Sequence, residues 1–155
     1  MSNLLIQFIA GAFGTLGLVA IVGVPKKYLF HCAMIGAVSW AVYYALFNYT
    51  DYISEPIATF VGTAVGILLS RFFAVRERCP VTIFLVSAIF PLVPGGGIFW
   101  TTFYFATNQL DLAGDKGFLA IKLALAIVLG NVLIFEIPQN FFSKMVSLFP
   151  AKEEE

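Results

Sequence analysis

Phe90-Pro91-Leu92-Val93-Pro94-Gly95-Gly96-Gly97 cannot continue a regular helix, yet it stands at the middle of an apolar run from 81 to 110. Pro91 has no N–H for the carbonyl of Ser87, and Pro94 has none for that of Phe90. The glycines allow close approach of another group. A second half-helix starts near Ile98, with first N–H groups that have no partner inside it. In lipid an unsatisfied backbone group costs several kcal/mol, so such a break is tolerated only inside protein or beside a water-filled cavity. A break at the centre of a crossing run falls at the bilayer midplane.

The rest of the chain supports a membrane setting. Of its 155 residues 60% are hydrophobic and 12% charged, and the mean hydropathy is +0.92. Soluble domains carry about 25% charged residues, so a water-soluble fold is excluded. The 17 Phe, 6 Tyr and 2 Trp exclude a solvated coil. A helix crosses a bilayer with about 20 apolar residues. Such runs cover 3–24, 28–47, 56–75 and 118–137, and the interrupted run 81–110 makes a fifth crossing. The tail 139–150 places Phe141, Phe142, Met145, Val146 and Phe149 at helical spacing between polar residues, the pattern of a short helix lying in the interface. The expected fold is therefore all-α: one transmembrane domain over 1–155, five transmembrane helices with the fourth broken, and a short C-terminal interfacial helix.

Charge sets the orientation. With five crossings, Lys26, Lys27, Arg76, Arg78, Lys144 and Lys152 share one side, while Asp51, Glu55, Asp111, Asp115 and Lys116 share the other. The positive-inside rule makes the basic side cytoplasmic. The N-terminus is then outside, the C-terminus inside, and the location a bacterial cytoplasmic membrane. The first run lacks a basic leader region and reads as a retained span. Gly62 and Gly66 form a GxxxG in the third span, and Gly11, Gly14 and Gly17 line the first, as helices packed in lipid require.

The break has its own chemistry. Free carbonyls end one half-helix, and free amides with a positive dipole begin the next. Together they suit a zwitterion, with a carboxylate on the amides of Gly96, Gly97 and Ile98 and an ammonium on the carbonyls. Transporters use discontinuous helices in this way. Thr101, Thr102 and Tyr104 follow on the second half and offer hydroxyls. The competing reading is a proline kink that only shapes packing.

Pro91-Leu92-Val93-Pro94-Gly95-Gly96-Gly97-Ile98, followed by an aromatic pair and Thr101, resembles the signature of the threonine/serine exporter (ThrE) family. In length and span pattern the chain is similar to the small five-span unit of that family's split form. The resemblance implies a second five-span subunit carrying a cytoplasmic N-terminal region. It implies threonine and serine as substrates, or dicarboxylates in some split systems, and export driven by the proton gradient. Where the family motif often carries a small polar residue, this chain has Gly96. An odd number of spans points to a two-half design as well, because a related five-span unit would enter with opposite orientation and complete a site between inverted halves.

Other polar residues are weaker candidates. Arg71 and Lys122 stand near span ends, where snorkelling to headgroups is the simplest role. Asn131 lies deeper and needs either an interhelical hydrogen bond or a cavity contact. His31 is a single titratable group near the cytoplasmic face. No cofactor or metal is expected from one His and two cysteines, Cys32 and Cys79, without a ligand spacing. Nucleotide and hydrolase motifs are missing, so no enzyme is expected. Balanced charge, 9 basic against 9 acidic residues, gives no reason to expect nucleic acid. The reading is a half-transporter for a small amino or carboxylic acid, with Pro91, Pro94, Gly95, Gly96, Gly97, Ile98, Thr101, Thr102 and Asn131 as site residues. The alternative is a non-transporting membrane scaffold or assembly subunit.

Overall fold

A computed structural model describes residues 2–147. The described residues form helices and turns only: α1 (Ser2–Val22), α2 (Leu29–Tyr49), α3 (Glu55–Arg76), α4 (Thr82–Ile89), α5 (Gly95–Ala106), α6 (Leu110–Phe135) and α7 (Gln139–Ser147). Short 3-10 turns at Lys26–Tyr28 and Phe90–Leu92 precede α2 and follow α4. Four helices are long and apolar enough to cross a membrane, and α4 with α5, bent by 50° at the break, brings the number to five when the bent pair is taken as one span. The protein is an all-α, multi-pass membrane protein. Of the expected interfacial helix 139–150, Leu148, Phe149 and Pro150 lie outside the described residues, as does Lys152.

Helix ends follow local chemistry. Gly23 adopts φ +82°, which only glycine accepts freely, and the Val24 N–H returns to Val19 O at 3.1 Å to close α1. Asn108 does the same for α5 at φ 58°, with Gln109 N–H donating to Tyr104 O at 2.8 Å. This turn ends α5 early. The next helix therefore begins at Leu110 and takes in Asp111, Asp115 and Lys116, residues that hydropathy alone places between spans. Asp111 in its first turn complements the helix dipole.

α2 is the middle of the bundle, with α1 on one side and α3 and α4 on the other. Small residues set the spacing. A Cβ at Gly62 would stand 3.0 Å from the Ser39 carbonyl oxygen, and one at Gly66 would stand 3.0 Å from Ala88 Cβ. The GxxxG of the third span is thus where α2, α3 and α4 meet. The Ser39 hydroxyl lies 2.9 Å from both Gly62 O and Ala88 O and shares its proton between them. Ser70 reaches Phe84 O at 3.1 Å, and the Cys32 thiol reaches Ile83 O at 3.7 Å. These contacts satisfy backbone carbonyls of α4 from outside that helix, as a dry interior demands. In α1, Gly11 packs on Trp40, whereas Gly14 and Gly17 would offer a Cβ open space.

α3 and α6 run parallel: Phe60 and Thr63 meet Gly130, and Arg71 meets Ile134 and Ile137. α5 runs antiparallel to α6, with Gly97 against Ala120 and Thr101 against Gly117. α4 starts where α3 ends, and α5 finishes beyond the other end of α3, so the broken run crosses once. α5 has no buried residue and packs chiefly on α6.

Arg71 does more than reach for headgroups. Its guanidinium donates to the carbonyls of Ile134 at 2.6 Å, Ile137 at 2.7 Å and Phe135 at 3.3 Å. It also lies 4.4 Å from the ring centre of Phe142 in α7. One planar cation thus caps the free carbonyls at the end of α6 and seats α7. Arg71→Met is expected to destabilise the chain by roughly 2 kcal/mol, the scale of hydrogen bonds to a charged group. It should also open residues 138–147 to limited proteolysis. Arg71→Lys should recover only part of the loss, because a lysine has no flat guanidinium to lie over the Phe142 ring. Equal protease resistance in all three proteins would remove this role.

Candidate functional site

The break is a sequence of identifiable turns. Phe90 N–H still reaches Val86 O, and the chain then tightens into a 3-10 turn at Phe90–Leu92. Pro94 sits at φ −75°, ψ 55°, close to an inverse γ-turn. That turn directs the Gly95 N–H onto Val93 O at 2.7 Å. The Ile98 N–H bonds to Pro94 O at 3.0 Å and opens α5. The amides of Gly96 and Gly97 are therefore the ones without a backbone partner, and Ile98 drops out of the expected set of three. The Phe90 carbonyl is not free either, since Val93 N–H donates to it at 3.2 Å.

These amides border a cavity of about 370 Å³, within the roughly 300–1,000 Å³ of small-molecule sites. Pro91, Pro94, Gly95, Gly96 and Gly97 form one wall. The others are Trp40 and Tyr43 of α2, Glu55 and Thr59 of α3, Trp100 of α5, and Lys116, Leu119 and Leu123 of α6. Four separate elements thus converge on the break. Gln7 accepts a hydrogen bond from Trp40 Nε1 at 2.9 Å. The Trp40 ring lies 5.2 Å from that of Tyr43, and the Tyr43 hydroxyl donates to Glu55 Oε1 at 3.2 Å. This chain of contacts fixes the carboxylate at the cavity edge. Glu55 and Lys116 form no ion pair among the described residues.

The sequence model of a family described as threonine/serine exporter, ThrE, matches residues 7–137. The chain belongs to the threonine/serine exporter family. No curated protein and no solved structure matches it. The matched segment of this exporter-family chain contains the break and every residue that lines the cavity.

Within this exporter-family member, five of the residues singled out from sequence meet at the cavity: Pro91, Pro94, Gly95, Gly96 and Gly97. The others do not. Ile98 faces outward, 55% exposed, beside an apolar groove with Ile89, Val93 and Ala120. Thr101 donates to Gly97 O at 2.7 Å and Thr102 to Ile98 O at 3.0 Å. Both hydroxyls thus close on their own helix, as threonine does in apolar surroundings. Asn131 is not among the cavity residues, and its buried Oδ1 has no hydrogen-bond partner among the described residues. His31 lies 4.0 Å from Glu77, at the opposite end of α3 from Glu55.

The depth of the break also differs from the centre of the run. Leu92 packs near Gly62, and the cavity borders Thr59 and Glu55. It therefore lies near the start of α3, about 6 Å inside its first residue at Thr59. α5 and the first turns of α6 continue beyond it. The residues missed from sequence are Trp40, Tyr43, Glu55, Thr59, Trp100 and Lys116. The available signal was a lone Lys on the acidic side and a Glu beside the Pro that opens a span.

Proposed function

We propose that this chain is one half of a heteromeric exporter for small amino acids, threonine and serine foremost, or for related carboxylic acids. The substrate occupies the cavity at the α4–α5 break. It passes by alternating access with a second five-span subunit that carries a cytoplasmic N-terminal region. The basic ends of α3 and α7 face the cytoplasm of a bacterial cell, and the proton gradient drives export.

The observation that carries this reading is the pair of amides, Gly96 and Gly97, without a backbone partner among the described residues, at the edge of a cavity that Glu55 and Lys116 also line, inside a transporter-family chain. Backbone amides at a helix start are ready hydrogen-bond donors to a carboxylate. The near-absence of burial on α5 supports a missing second half, because a helix lining a site is normally enclosed on several sides. Family membership supports the proton coupling.

The test is efflux of radiolabelled threonine and serine from cells holding both subunits, either alone, or neither. Export is expected only with the pair, and a protonophore should abolish it. Pair-dependent assembly without efflux of any amino or carboxylic acid would make the chain a scaffold.

A further inference from the structure

The cavity carries fixed charge of both signs, and this bears on what it admits. Glu55 stands in the first turn of α3, with one carboxylate oxygen held by Tyr43 at 3.2 Å. The second oxygen has no hydrogen-bond partner among the described residues. Lys116 borders the same space as Gly96 and Gly97, whose amides have no backbone partner among the described residues at the positive end of α5. Neither charge has an ion-pair partner among the described residues. Trp40, Trp100, Leu119 and Leu123 supply apolar wall between them.

From this arrangement, and resting on the exporter reading above, we infer that Glu55 is the specificity-determining residue. It holds the ammonium of an α-amino acid whose carboxylate lies on Gly96, Gly97 and Lys116, and it excludes dicarboxylates. A zwitterion matches each fixed charge with its opposite. A dicarboxylate satisfies the amides and Lys116 with one end and sets its other end against Glu55. Like charges at a shared site in a low-dielectric wall are strongly unfavourable. Thr59 adds no competing donor, because its hydroxyl is engaged with Glu55 O at 2.9 Å.

The experiment uses the full-length chain in lipid nanodiscs and radiolabelled threonine, with unlabelled threonine, N-acetylthreonine and succinate as competitors. The chain's 2 tryptophans both border the cavity, so their emission reports whether a ligand enters there. Threonine should bind and shift the emission. N-acetylthreonine, which lacks the ammonium, and succinate should compete about tenfold more weakly or worse, the scale of one lost charge-assisted hydrogen bond. Glu55→Gln keeps an oxygen for Tyr43 and should weaken threonine by a similar factor while leaving succinate equal or better. Threonine affinity unchanged in Glu55→Gln, succinate competing as well as threonine, or no threonine binding at all would each overturn the inference.

Efflux from the paired subunits separates this result from the exporter reading. Threonine export unaltered by Glu55→Gln removes Glu55 and leaves the exporter. Glu55-dependent threonine binding without export by the pair removes the exporter and leaves the binding site.

Discussion

Gly96→Val is expected to leave the protein in the membrane at its usual level and to reduce threonine efflux by about 10- to 100-fold. A Cβ at Gly96 meets nothing within 4 Å, and the backbone there does not require positive φ. The fold has room for the new side chain, at a residue that borders the cavity. Overpacking a fitted site costs roughly 1–3 kcal/mol, and each 1.4 kcal/mol is a factor of ten in affinity. Gly97→Val is the contrasting variant. A Cβ at Gly97 lies 3.2 Å from Ala120 Cβ, so branching there pushes α5 off α6 and lowers the amount of folded protein. Efflux together with membrane level separates the two. Normal transport by Gly96→Val would mean that the substrate does not use this side of the break.

The second large effect concerns packing away from the cavity. Gly36 of α2 meets Thr15 of α1 so closely that an added Cβ would stand 2.7 Å from both Thr15 Cβ and Cγ2. Thr15 cannot rotate away easily, because it is β-branched and its hydroxyl donates to Gly11 O at 2.7 Å. Gly36→Ala gains helix propensity of about 1 kcal/mol. The overlap outweighs this, and a net loss of roughly 1–3 kcal/mol is expected. Thr15→Gly vacates the same space. The double variant should therefore be more stable than the sum of the single changes by about 1 kcal/mol or more, a coupling that residues not in contact do not show. Reversible unfolding in mixed detergent measures all four proteins, and additive effects would place α1 and α2 further apart than the structure has them.

These predictions rest on different levels of the chain. Gly96 was legible because two prolines and three glycines in a row of apolar residues have local consequences that no packing can undo. The role of Gly36 was not. A glycine within a span looks the same whether it faces open space, like Gly14, or a neighbour's side chain in close contact. Thr101 and Thr102 show a different limit. Their position just past the break suggested hydroxyls for a ligand, but a threonine in an apolar helix turns to its own carbonyl four residues back. Arg71 was read by depth alone, and only the approach of the end of α6 gave it three carbonyls to bind.

By itself the sequence determined the all-α membrane class, the place where the peptide ladder opens, and the family. Apolar length, the missing N–H of proline and a contiguous motif are all local properties of the chain. Tertiary structure alone decided the depth of that opening, near the start of α3, and the company it keeps. Trp40, Tyr43, Glu55 and Lys116 reach it from three other helices. The physical reason is that burial against lipid constrains how apolar a helix is but not its rotation about its own axis. That angle is set by where small residues let two backbones approach.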